Sequence, residues 1–189
     1  MIKKLILIGA GPGDPELISL KGIKALQQAD VVMYDALVSE ELLQHAPNAI
    51  KIFCGKRAGT HYMKQDEINQ LIVENAHKYG CVVRLKGGDP FIFGRGQEEI
   101  EYAESFGIPT FVVSGISSVI AVPASQGISI TKRGVSESFW VITGTTSDRK
   151  LSNDVALAAK SSATVVILMG MSKLSQIVTL FQNEDKGKT

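Results

Sequence analysis

Cysteine is scarce in this chain. Cys54 and Cys81 are the two present among 189 residues, and they share no CxxC spacing. Each stands at the edge of an apolar run, so both read as core thiols, not as a disulfide or a metal pair. The three histidines, His45, His61 and His77, show no ligand spacing either, and no metal site is expected. A surplus of one charge is missing too. Twenty basic and nineteen acidic residues leave a formal charge of +1. That argues against the broad basic surface of a nucleic-acid-binding protein, while leaving room for a local basic pocket. No apolar run approaches a membrane span, and too few apolar residues precede Gly9 for a signal peptide. No nucleic-acid or membrane partner is therefore expected, and a reducing cytoplasm is the natural setting.

What is present is an ordinary globular composition, 44% hydrophobic and 21% charged, enough for one large domain or two small ones. Apolar runs at residues 3–9, 31–34, 50–54, 81–85 and 110–113 read as strands. Between them, residues 16–29, 40–45, 66–79 and 97–106 carry helical spacing. Asp14 and Pro15 fit an N-cap and a first helical position, Ser39 caps the second helix, and Gly80 and Gly107 are stops. This alternation predicts an α/β fold with a mostly parallel sheet and helices on both faces. The small residues Ser114-Gly115-Ile116-Ser117-Ser118 mark a helix start and a boundary, giving an N-terminal α/β domain of 1–113 and a C-terminal α/β domain of 114–189. The second domain offers two strands, 138–143 and 164–169, and a helix over 172–181. That is few for a closed sheet. It reads as a mixed, incomplete sheet, followed by a polar end that frays.

Two glycine-rich loops dominate the motifs. Gly9-Ala10-Gly11-Pro12-Gly13-Asp14 invites a dinucleotide-binding reading, but position six of G-x-G-x-x-G is Asp14, and an acid at a helix start opposes a pyrophosphate there. A structural tight turn and a wall for a neutral or cationic cofactor both fit it better. The second loop, Gly87-Gly88-Asp89-Pro90-Phe91-Ile92-Phe93-Gly94-Arg95-Gly96, follows the strand 81–85 and precedes a helix. Glycine admits close backbone approach and proline stiffens the loop, so it reads as an ordered ligand wall at a strand end.

Asp35 closes the second strand and Lys56 and Arg57 follow the third; taken alone, each reads as a turn or solvated residue. Arg84, Lys86 and Arg95 come from the fourth strand and its loop. Together these bases are expected to converge on one rim, with Lys132 and Arg133 from the second domain adding to it. Such a concentration in a near-neutral chain suggests an anionic, carboxylate-bearing substrate. Ser117 and Ser118 alone read as helix capping, and Met169 alone as core.

The segments GAGPGDPELISLKG (9–22), VVMYDALVS (31–39), GKRAG (55–59), RLKGGDPFIFGRG (84–96), GIPTFVVSGISS (107–118), GISITKRG (127–134), VITG (141–144) and VVILMG (165–170) resemble the tetrapyrrole methylase family, in its order and spacing over essentially the whole chain. Within that family the resemblance is to the members that methylate uroporphyrinogen III. It implies two α/β domains that hold S-adenosylmethionine, and methyl transfer to two ring carbons of uroporphyrinogen III. The products are precorrin-1, then precorrin-2, with S-adenosylhomocysteine released, feeding sirohaem and cobalamin synthesis. It also implies a homodimer. Pro12, Gly87, Gly88, Asp89, Ile92, Ser117, Ser118 and Met169 fall on the family's cofactor positions. Asp35 falls on its proton acceptor and Lys56 on its proton donor. The chain departs at Ala36, where arginine is common, at Lys132, where histidine is common, and at Ser117-Ser118, which replaces a Thr-Ala pair. The rivals are another precorrin methyltransferase, a nucleotide-dependent oxidoreductase, and a non-catalytic cofactor-binding or dimerising fragment.

Overall fold

The structure is a computed structural model and describes residues 2–55, 63–184 and 186. It divides into two compact units, Met1–Ser118 and Val119–Thr189.

In the first unit five strands, β1 (Lys4–Gly9), β2 (Val31–Tyr34), β3 (Ile50–Phe53), β4 (Cys81–Lys86) and β5 (Thr110–Val113), form one sheet. Their order is β3-β2-β4-β1-β5, and every pairing is parallel. The central strands read as unbroken apolar runs because both faces are covered. Their side chains alternate between two cores. Ile6, Ile8, Val32, Val83 and Leu85 pack with Ala25 and Leu26 of α1 (Leu20–Leu26) and with Leu42. Leu5, Leu7, Val31, Met33 and Val82 pack with Ile68, Ile72 and Ala76 of α2 (Gln65–Tyr79) and with Ile100 and Ala103 of α3 (Gly96–Ser105). By the same alternation Asp35, Arg84 and Lys86 extend the second set, toward α2 and α3. That placement is what builds the site.

The helix expected over 16–29 is broken. Asp14 caps a short 3₁₀ turn, Pro15–Leu17, by accepting from the Glu16 N–H at 2.9 Å. Ile18 and Ser19 are then extended, and Ser19 starts α1 afresh by accepting from the Gly22 N–H at 3.1 Å. Two competing N-caps five positions apart explain the split, since a capping residue prefers extended backbone. The segment Glu40–His45 is likewise a 3₁₀ helix, without a side-chain bond from Ser39.

The second unit holds α4 (Ser118–Ser125, its first residue shared with the first unit's end), β6 (Phe139–Thr143), α5 (Asn153–Lys160), β7 (Thr164–Leu168) and α6 (Leu174–Asn183). The two strands pair in parallel. Ile142, Val155, Ala158 and Ile177 form its core. Helix α5 was not anticipated: Ser152 caps it, but its run of small alanines hides the apolar stripe. No helix among the described residues is long and apolar enough to cross a membrane.

Substituting Ser19→Ala is expected to cost about 1 kcal/mol, seen as a lower urea midpoint with an unchanged slope.

Candidate active site

At the carboxyl edge of the first unit's sheet, three strand ends touch through glycine. A Cβ on Gly115 would lie 2.2 Å from the Gly88 carbonyl oxygen and 2.6 Å from the Gly9 Cα. One on Gly9 would lie 2.4 Å from the Gly115 backbone. Gly11 and Gly88 exchange backbone hydrogen bonds, the Gly88 N–H donating at 2.7 Å and the Gly11 N–H at 3.3 Å. The loops after β1, β4 and β5 are thus joined where no side chain fits.

Gly88 itself is different. It sits at φ +65°, and a Cβ there would meet no protein atom nearer than Ser117 Cα at 3.9 Å. Its backbone conformation favours glycine, and the space beside it is open on the protein side. Gly87 is held close to the loop after β2, since its Cβ would be 2.7 Å from Leu37 Cβ. Asp89 orders its own loop and ties it to the loop after β5. Its Oδ1 accepts from the Phe91 N–H at 2.9 Å and its Oδ2 from the Gly115 N–H at 3.0 Å. Pro12 is half-buried, Ile92 exposed and Ser117 buried along the same edge.

Beneath this edge lies a buried charge cluster. Arg84 and Glu99 are 2% and 0% exposed, and Lys86 is also buried. Glu99 Oε1 accepts from Arg84 Nε at 3.0 Å, Lys86 Nζ at 2.9 Å and Gln65 Nε2 at 3.2 Å. Its Oε2 is buried with no hydrogen-bond partner among the described residues. Arg84 Nη2 donates to Asp35 Oδ1 at 2.5 Å, and Asp35 is the partly exposed member of the set. Burial works against the Arg84 charge, but Glu99 and Asp35 outweigh it and hold the guanidinium above the ordinary arginine range. Burial and the neighbouring Arg84 charge instead push Lys86 below the ordinary lysine value, with Glu99 pulling back. Removing one member of such a cluster strands the others, at a cost of about 3–5 kcal/mol.

This corrects the expected basic rim. Arg84 and Lys86 are not on it; they are interior cations spent on Glu99. Arg95 is exposed, at φ +59°, and forms a two-point pair with Glu98 at 2.8 and 2.6 Å. Lys132 and Arg133 are exposed in the second unit. Lys56 and Arg57 lie outside the described residues. Sequence reasoning missed Glu99 and the glycine contact of Gly9 with Gly115. Glu99 had a signal: it falls on the buried stripe of α3 with Gly96, Ile100 and Ala103.

The second unit has its own glycine-lined strand ends. A Cβ on Gly144 would lie 2.6 Å from Gly170 Cα. Between them Met169, exposed and at φ +55°, is held by Thr145 Oγ1 donating to its carbonyl oxygen at 2.7 Å. A non-glycine residue in that conformation is a strained feature of the sort found at ligand sites.

A parallel sheet with a side-chain-free cradle and an anchored carboxylate at its strand ends defines an α/β enzyme built for a small ligand. Residues 4–189 match the family model for the tetrapyrrole (corrin/porphyrin) methylases, and the chain belongs to that family. It is 51% identical to the uroporphyrinogen-III C-methyltransferase of Methanocaldococcus jannaschii over 190 aligned positions, covering all of this chain and 78% of the relative. Among solved structures it is similar to the uroporphyrin-III C-methyltransferase of Thermus thermophilus complexed with S-adenosylhomocysteine. That match has a TM-score of 0.81 and 37% identity, covering 96% of this chain and 76% of the other. Similarity also extends to a cobalt precorrin-4 methyltransferase, with a TM-score of 0.83 and 29% identity, covering 97% and 75%.

Gly115→Ala is expected to destabilise the protein by about 1–3 kcal/mol through overpacking, and Gly88→Ala by about 1–2 kcal/mol through its backbone alone; denaturant titration measures both losses. A pH effect follows from Cys54. Burial pushes its thiol from 9.0 up to about 11, against the opposing pull of Arg84. The fold favours the neutral thiol, so its contribution is complete below the unfolded value near 9.0 and is lost as pH rises toward about 11. Cys54→Ser is expected to flatten that part of the stability-against-pH curve.

Proposed function

We propose that this chain catalyses S-adenosylmethionine-dependent C-methylation of uroporphyrinogen III, giving precorrin-1 and then precorrin-2. The geometric observation that carries the reading is a partly exposed carboxylate, Asp35, anchored by buried Arg84 at the same sheet edge as the glycine cradle. The residues fit the cofactor. Gly88 leaves open space, and Gly87, Asp89 and Ser117 bound the same loops. Pro12, Gly87, Gly88, Asp89, Ile92, Ser117 and Ser118 would hold it in the first unit; Met169 is the candidate that the family resemblance adds. Bound S-adenosylmethionine would supply an activated sulfonium methyl group for an electron-rich pyrrole carbon of the substrate, with S-adenosylhomocysteine as the product left behind.

The protein's own work is placement and proton handling. Alignment of reactants can supply roughly 7–11 kcal/mol of a barrier. After methylation the macrocycle must shed a proton. Asp35 accepts it at Oδ2, which takes no hydrogen bond among the described residues, while Oδ1 stays on Arg84. Lys56 either protonates the same intermediate, which then sheds a second proton, or steers it by charge alone. Arg57 and Arg95 meet the substrate's carboxylates, and Arg84 and Lys86 act electrostatically from below; Lys132 and Arg133 are exposed bases of the second unit suited to the same chemistry. The same reading includes a homodimer, for which the exposed Ile120 and Val122 of α4 offer apolar surface. It also includes a reducing cytoplasm, in keeping with two free buried thiols.

Another precorrin methyltransferase is the main rival. The fold does not separate the two, with TM-scores of 0.81 and 0.83. Identity does favour the proposal, at 37% against 29% for the same two structures. A dinucleotide enzyme is disfavoured because the Asp14 carboxylate occupies the helix-start N–H that a pyrophosphate would need.

Turnover of uroporphyrinogen III by this chain is the deciding measurement. Asp35→Asn is expected to lower methyl transfer by about 100-fold or more while S-adenosylhomocysteine affinity by calorimetry stays within about twofold. Equal loss of both removes the assignment of Asp35 to the substrate.

A further inference from the structure

We propose that Glu99 is a positioning residue: from inside the sheet–helix interface it fixes Arg84, and through Arg84 it aims the Asp35 carboxylate. The inference rests on Asp35 as proton acceptor. Every nitrogen of the Arg84 guanidinium is occupied. Nε donates to Glu99 at 3.0 Å, Nη1 to the carbonyls of Met33 and Leu85 at 3.4 and 3.3 Å, and Nη2 to Asp35 at 2.5 Å. A planar group held at all three nitrogens has one orientation. Glu99 is itself held by Lys86 and Gln65, and it is fully buried, so it touches no substrate.

Stability alone gives no reason for this arrangement. A buried ion cluster is seldom better than apolar residues of the same volume, and the flanking positions of β4 are Val82, Val83 and Leu85. The cluster also leaves one Glu99 oxygen buried without a hydrogen bond among the described residues, a cost an apolar core would not carry. Its partly exposed end is Asp35. The charges run from a helix interior to one carboxylate at a strand end, which is the form of a support for a reacting group.

The test begins with the crystal structure of the Glu99→Gln protein. Asp35 is expected to lose its contact with Arg84 while the surrounding backbone stays; an intact Arg84–Asp35 contact overturns the proposal. In methyl-transfer assays Glu99→Gln is expected to lower kcat by roughly ten- to a hundredfold, with S-adenosylhomocysteine affinity within about twofold. In an Asp35→Asn background the same change is expected to alter kcat by less than about twofold, because residues acting as one unit are not additive. Equal losses in both backgrounds assign Glu99 a general structural role and overturn the proposal. If Asp35→Asn alone leaves turnover intact, the proton-acceptor reading fails first, and the crystal contact still reports on Glu99. Because Glu99→Gln strands two buried cations, a second variant removes the cluster whole: Arg84→Met, Lys86→Met and Glu99→Leu together. It is expected to fold and bind S-adenosylhomocysteine with kcat at least about tenfold down. Retained turnover, or failure to fold, overturns the proposal.

Discussion

The backbone contact among Gly9, Gly88 and Gly115 is the constraint on which the first unit's functional edge depends. Three loops, from three strands, converge closer than any side chain allows. Asp89 then spans two of them by accepting from Phe91 and Gly115. The result is a wall made of peptide groups instead of side chains. Such a wall is stiff, because its atoms have few rotamers to explore, and it lets a flat or charged ligand approach to backbone distance.

Below that wall the sheet carries charge where its pattern calls for hydrocarbon. Arg84 and Lys86 alternate with Val83 and Leu85, so one face of β4 packs on α1 while the other meets Glu99 of α3. Loops form the edge of the sheet, and its interior anchors the Asp35 carboxylate through Arg84. The two tasks are separated by one layer of backbone.

Much of the fold was legible because parallel strands buried on both faces are continuous apolar runs, as at Leu5–Ile8 and Val82–Val83. The glycine loop and its place at a strand end were legible for the same reason. What was not legible had local competition. Ser19 outbid the continuing helix from Asp14, and the small residues Ala156, Ala158 and Ala159 gave α5 no visible stripe. Arg84 and Lys86 drop out of the expected basic rim because strand alternation assigns them to an interior face, and nothing but their charge argued for solvent. Glu99 was hidden in the pair Glu98-Glu99, where helix spacing sends the first to water and the second inward. The family motifs carried the reading of Asp35 that its position alone left open.

The interior charge of β4 also bears on how the sheet assembles. Cys81, Val82, Val83 and Leu85 would pack acceptably on either face, so hydrophobicity leaves the strand's pairing weakly defined by itself. Arg84 does not share that tolerance. Sliding β4 by one residue would turn its guanidinium toward the wholly apolar α1 side, away from Glu99, with an uncompensated charge in hydrocarbon. The central strand is keyed electrostatically, and misaligned sheets are disfavoured whether or not the glycine loops meet.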